Sequence, residues 1–154
     1  MNVQKQGGLS VSDGRLAIDG GKLAFGPTTT HAELLATLPS ARLVVSNGAW
    51  NTYSLRSHSV GGIPFVISLC FHGQVLHLIT LTHLVEGDEG GWDQQRELAR
   101  KRFHDEWLGR LPGGPDIVQY WWGRIDSVVD PRGGESVIVI HYVLPQYDRP
   151  IGAL

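Results

Sequence analysis

The sequence predicts an α+β fold, a mostly antiparallel sheet of about six to eight strands with one short and one longer helix packed on it. Three observations carry that prediction. Apolar residues alternate at a spacing of two in four pairs of runs, and a short glycine-bearing reversal joins each pair. Only two segments, near Thr30 and near Asp93, carry helix-start chemistry. Glycine is also abundant, 20 of 154 residues, as a chain with many tight reversals requires.

Residues 1–14 are polar and predict a flexible N-terminal segment ahead of a single domain over 15–154. Arg15 to Ile18 and Lys22 to Phe25, separated by Asp19-Gly20-Gly21, read as a short hairpin that Gly26-Pro27 ends. Thr30 and Glu33 have capping-box spacing, in which the hydroxyl takes the third helical amide and the carboxylate reaches back. That helix stops before Pro39. So short a helix needs Leu34, Leu35 and Leu38 to pack on a sheet.

Arg42 to Ser46 and Trp50 to Leu55 flank Asn47-Gly48, a strong hairpin signal. Ile63 to Phe71 and Val75 to His83 form the next hairpin around His72-Gly73-Gln74, and read as core strands. Strict alternation puts Leu76 and Leu78 on one face and His77, Ile79, Leu81 and His83 on the other. Asp93 caps a longer helix to about Leu108, its carboxylate favoured by the helix-start dipole. Leu98, Ala99, Phe103, Trp107 and Leu108 form the expected buried stripe, with Arg96, Arg100, Lys101, Asp105 and Glu106 in water.

The last hairpin dominates the C-terminal third. Arg124 to Val129 reads as a half-exposed arm, and Asp130-Pro131-Arg132-Gly133-Gly134 as the turn. In the return arm, Val137, Val139, His141 and Val143 share one face, while Ser136, Ile138, Ile140 and Tyr142 share the other. Both faces are largely apolar, which predicts a central strand covered on both sides. Trp121 and Trp122 are adjacent in extended chain, so one should point in and one out.

Composition narrows the function classes. The net charge is −2, with an isoelectric point near 6.4, so no global basic field draws nucleic acid or anionic membrane. No apolar run approaches the roughly 18 residues of a membrane span, and the start shows no basic-then-apolar leader pattern. The single cysteine, Cys70, excludes an internal disulfide and leans towards a reducing compartment. The expectation is a cytoplasmic protein.

Chemistry-bearing motifs are sparse. Seven histidines invite a metal reading, but His77 and His83 lie roughly 20 Å apart along one strand and no ligand motif surrounds them. No metal and no cofactor are expected. Cys70 sits inside an apolar strand, and no serine lies in a nucleophile elbow. No catalytic residue is assigned. Two surfaces remain as candidates for binding a partner. The first is acidic and glycine-rich, with Glu86, Asp88, Glu89 and Asp93 around Trp92, suited to a basic protein partner by steering and anchoring. The second is the exposed side of the last hairpin, with Tyr120, Trp121, Asp126 and Arg132.

Four elements of the C-terminal third carry a resemblance. They are His104-Asp105-Glu106-Trp107-Leu108, Trp122-Gly123-Arg124-Ile125-Asp126-Ser127, the Asp130 to Gly134 turn, and the serine-led strand Ser136 to Tyr142. Together they resemble small proteobacterial immunity-type proteins of secreted antibacterial toxins. The likeness spans residues 104–142 and departs at Val129, where an aromatic is expected, and at Glu135, where a small polar residue is expected. The resemblance implies a non-catalytic binding protein that neutralises a cognate toxin domain by direct contact. The alternative is a small hydrolase or ligand-binding enzyme using histidines in a sheet-lined pocket. A third reading is a structural or assembly module.

Overall fold

The computed structural model describes residues 8–85, 90–113, 119–130 and 133–143. The elements are β1 (Leu16–Ile18), β2 (Leu23–Phe25), α1 (His31–Thr37), β3 (Arg42–Asn47), β4 (Trp50–Val60), β5 (Ile63–His72), β6 (Val75–His83), α2 (Gln94–Gly109), β7 (Gln119–Tyr120), β8 (Gly123–Val129) and β9 (Ser136–Tyr142). Two-residue reversals at Gly48-Ala49, Gly61-Gly62 and Gly73-Gln74 fold β3 to β6 into a meander. The β8–β9 hairpin then docks against β6. The result is a seven-stranded antiparallel sheet in the order β3-β4-β5-β6-β9-β8-β7, with β1 and β2 as a separate pair. The predicted α+β class, with its short and longer helix, is what forms.

The last hairpin closes through backbone bonds. Asp130 N–H donates to Glu135 O, and Gly134 N–H donates to Asp130 O, each at 2.7 Å. Gly134 has φ +71, the left-handed conformation that this reversal needs. β9 lies inside the sheet, as its sequence predicts, but it is buried on one face only. Ser136, Ile138, Ile140 and Tyr142 are buried, while Val137, Val139 and His141 are half-buried. All packing partners sit on one side. Leu16, Ile18 and Phe25, Leu34 of α1, and Trp107 and Leu108 of α2 join the buried residues of β4, β5, β6 and β9 in one core. No described element covers the other face, so the apolar Val137 and Val139 are sheet formers rather than core residues.

A bulge corrects the expected faces of β6. Cys70 pairs with Leu78 and Phe71 with Leu76, leaving His77 as the extra residue. Leu76 thereby joins Ile79 and Leu81 in the core, and His77 moves to the uncovered face. His83 stays on the core side, stacked on Phe103 of α2 with centroids 3.7 Å apart. His77 and His83 therefore do not share a face.

Both helix starts follow their sequence signals. Thr30 Oγ1 accepts from Glu33 N and the Glu33 carboxylate accepts from Thr30 N; Asp93 accepts from Arg96 N. Of the α1 leucines, Leu34 is fully buried and Leu38 packs on the core, but Leu35 is exposed.

The buried side of α2 follows the apolar stripe only in its second half, where Trp107 and Leu108 are buried and Phe103 packs against the core; Leu98 and Ala99 are exposed. Leu98 is 46% exposed, whereas Glu97, Arg100 and His104 are buried with Trp107 and Leu108. The reason lies in the sheet. β6 and β9 pair only from Leu78↔His141 to Leu81↔Ile138. In that register His83 would face Ser136, but the strands part and α2 side chains fill the seam. His83 N–H donates to His104 Nε2 and His83 O accepts from Arg100 Nε, both at 3.0 Å. Ser136 N–H donates to Glu97 Oε1 at 2.9 Å, and Glu97 Oε2 accepts from Arg100 Nη1. Since Nε2 of His104 accepts, its proton is on Nδ1, 3.0 Å from Ser136 Oγ. Buried backbone groups need partners, and here polar side chains supply them.

Residues 8–14 were expected to fray and are instead packed. Leu9 is in the core and bridges Leu16. Trp121 Nε1 donates to Ser12 O and Trp122 Nε1 to Val11 O, both at 2.9 Å, and Tyr142 Oη donates to Gly14 O at 2.6 Å. Three aromatic donors thus fix a segment whose own sequence is polar. Residues 1–7 lie outside the described residues.

Candidate interaction surface

The uncovered face of the sheet carries the molecule's concentration of rings and nitrogen donors. Side chains alternate across a sheet, so the residues opposite the core set on β4, β5, β6, β9 and β8 point here. Trp50 of β4 meets His72 of β5 and His77 of β6 edge-on, with centroids 4.5 and 5.0 Å apart. His77 meets His141 of β9 at 6.4 Å. His141 Nε2 lies 3.6 Å from Asp126 Oδ2 on β8, and that oxygen accepts from Arg124 Nε at 3.0 Å. One row of rings therefore crosses four neighbouring strands and ends on an arginine–carboxylate pair. Around its β9 end is a cleft of about 510 Å³ lined by His77, Gln119, Arg124, His141 and Val143.

The β6 bulge builds this row. Without the extra residue, His77 would sit on the core side with Ile79, and the row would break between Trp50 and His141. Cys70 also faces this side; it pairs with Thr52 and Leu78 and is half-buried rather than enclosed. Its neighbours on the same face include Ser68 and Thr80, whose hydroxyls are hydrogen-bonded to each other.

The residues expected to bind a partner divide into separate places. Glu86, Asp88 and Glu89 lie outside the described residues, as does Arg132. Trp92 is 59% exposed, and its indole lies against Gly134 in the β8–β9 turn, 3.0 Å from where a Cβ would stand. Asp93 is committed to the α2 cap. Trp121 is 77% exposed and Trp122 is buried, so the adjacent pair splits inward and outward as its spacing requires. Tyr120 is half-buried, stacked parallel on Trp122 at 5.1 Å. Asp126 faces the uncovered side. Trp92 and Trp121 flank opposite ends of β8, whose seven residues span roughly 20 Å. Among the described residues, Trp92 and Trp121 therefore stand apart.

The elements behind the immunity-type resemblance turn out to be framework. His104, Trp107, Trp122, Ser136 and Tyr142 are all buried. Gly123 passes so close to β9 that a Cβ would stand 1.8 Å from His141 O. Among the motif residues, Arg124, Asp126 and His141 belong to the ring row and its polar end. Sequence reasoning missed Trp50 as part of one group with His72 and His77 because their alignment depends on two hairpin registers and a bulge. Among the described residues no three His, Cys, Asp or Glu side chains come together as metal ligands. No helix of the described residues is long and apolar enough to cross a membrane. Comparison with protein-family models, curated proteins and solved structures returns no match.

Proposed function

We propose that this chain is a non-catalytic binding protein, an immunity protein of the cytoplasm that neutralises a secreted bacterial toxin by direct contact, and that the toxin sits on the uncovered sheet face. The observation that carries the reading is the row Trp50–His72–His77–His141 ending at Arg124–Asp126. Interfaces are enriched in tryptophan and arginine, and a flat array of rings with a polar end suits a protein surface. Among the described residues, the buried Glu97, Arg100 and His104 are occupied in holding α2 to the sheet.

The test is co-expression with toxin-like products encoded beside the gene. Growth should be rescued, and the two purified proteins should form a stable complex. Failure of every neighbouring product to bind removes the immunity reading. A second reading is supported by His77 and His141 in the cleft with Arg124 and Gln119: a small hydrolase or ligand-binding enzyme. Turnover of an ester or phosphoester by the purified protein, lost in His141→Ala, would replace the first reading with this one.

A further inference from the structure

β3 is the long edge of the sheet. All six of its residues are exposed, with Leu43, Val44 and Val45 at 48, 47 and 55%. It pairs with β4 alone, so its outward N–H and C=O groups meet no partner among the described residues. The opposite edge, β7, has only two residues. Short edges discourage pairing with another chain, as do lysine, carboxylate and proline residues along the strand. β3 contains none of those residues, and its one charge, Arg42, stands at the strand's start. Its one irregularity is a bulge between Leu43 and Val45, which sets Leu43 opposite the core residue Tyr53 and Val45 opposite Thr52 on the uncovered face. Apolar side chains therefore flank both faces of this edge.

We propose that β3 pairs with β3 of a second copy of this chain, antiparallel across a two-fold axis, joining two sheets into one. The strand's own sequence selects the occupant. In Arg42-Leu43-Val44-Val45-Ser46-Asn47 the apolar residues are central and the single charge is at one end. Antiparallel self-pairing sets apolar against apolar and places Arg42 opposite Ser46 or Asn47. Parallel pairing would set Arg42 against Arg42, with like-charge repulsion. A two-fold axis needs one self-complementary patch, and this strand is one. The contact is short and bulged, so it belongs to the weak class of interfaces, under about 1,200 Å². Dimerisation is concentration-dependent.

Sedimentation velocity of the full chain, from low micromolar to near-millimolar protein, tests this. The expected result is a monomer–dimer equilibrium that Val45→Lys weakens by about tenfold or more, equivalent to about 1.4 kcal/mol. Circular dichroism and melting temperature should stay unchanged, because the residue is exposed. A Val44→Cys variant in a Cys70→Ser background should cross-link to itself under mild oxidation. A wild-type chain that is monomeric throughout, or a dimer untouched by Val45→Lys, overturns the proposal. So does a monomer whose Val45→Lys variant loses a purified protein partner, which would give the edge to that partner.

Discussion

The carboxylate of Glu97 accepts the backbone amide of Ser136 at 2.9 Å, and this bond ties the first turn of α2 to the first residue of β9. The same carboxylate accepts from Arg100, whose Nε holds His83 O at the end of β6. Two strands that have stopped pairing with each other are thus bridged by one ion pair. Replacing Glu97 with alanine removes the carboxylate paired with the buried Arg100 guanidinium and should cost about 3–5 kcal/mol. Double replacement of Glu97 and Arg100 by leucine should not restore stability. It would remove the bonds made to Ser136 N–H and His83 O, at about 1–3 kcal/mol each. Urea unfolding measures both. A double variant within about 1 kcal/mol of wild type would show that the seam does not depend on these bonds.

His104 makes stability depend on pH. Burial, then the charges of Arg100 and His83, push its pKa down to about 4 from the usual 6.5. The imidazole is neutral in the fold, since Nε2 accepts the His83 amide. Above about pH 6.5 it is neutral in both folded and unfolded chains and imposes no penalty. As pH falls from 6.5 to 4, the unfolded chain takes up a proton that the folded chain refuses. Stability therefore drops through that window, by on the order of 3 kcal/mol. His104→Gln should flatten the slope between pH 4 and 6.5 even though it lowers stability at neutral pH. An unchanged slope in the variant would assign the dependence to other groups.

Much of the fold was legible because its signals are local. Thr30 with Glu33 and Asp93 before α2 give helix starts through side-chain reach within one turn. The glycine-bearing reversals set the hairpins, and the apolar run of β5 marked it as a core strand. What failed was whatever required knowing a neighbour. Arg100 reads as solvated because arginine usually is, and only the parted β6–β9 seam supplies it with a carbonyl and a carboxylate. Residues 8–14 read as frayed because their anchors, Trp121, Trp122 and Tyr142, come more than a hundred positions later. The ring row was hidden for the same reason: strict alternation puts His77 with Ile79, and only the bulge turns it outward. Trp121 and Asp126 could be singled out from type and spacing, yet their separation from Trp92 follows from the length of β8.

Gly123 is fixed by space as well as conformation. It has φ +149, and a Cβ there would lie 1.8 Å from His141 O, inside the β8–β9 ladder. The backbone cannot yield without breaking the pairing of Gly123 with Tyr142. Gly123→Ala should therefore cost about 3 kcal/mol or more. Gly134→Val, at the other end of the hairpin, should cost about 1–3 kcal/mol through its positive φ and the neighbouring Trp92 indole. Melting of the two variants gives the order. A milder loss for Gly123→Ala than for Gly134→Val would contradict the close-approach account.

Two surfaces are candidates for the proposed partner, and their binding kinetics should differ. A partner seated on the ring row would bury Trp50, so Trp50→Ala should weaken a complex by about 2 kcal/mol, roughly thirtyfold, mainly through faster dissociation. Arg124→Ala should act the same way, since its guanidinium ends the row beside the cleft. The acidic residues work at longer range. Changing Glu86, Asp88 and Glu89 to lysine should slow association of a basic toxin at low salt. That effect should fade as the Debye length shrinks to about 10 Å at 0.1 M. Each of these three changes is expected to alter stability by no more than about 0.5 kcal/mol. Surface plasmon resonance against any toxin-like product encoded beside the gene, at several ionic strengths, separates the two contributions. Unchanged dissociation in both Trp50→Ala and Arg124→Ala would take the partner off the sheet face, and unchanged association in the triple variant would take the acidic segment out of the encounter.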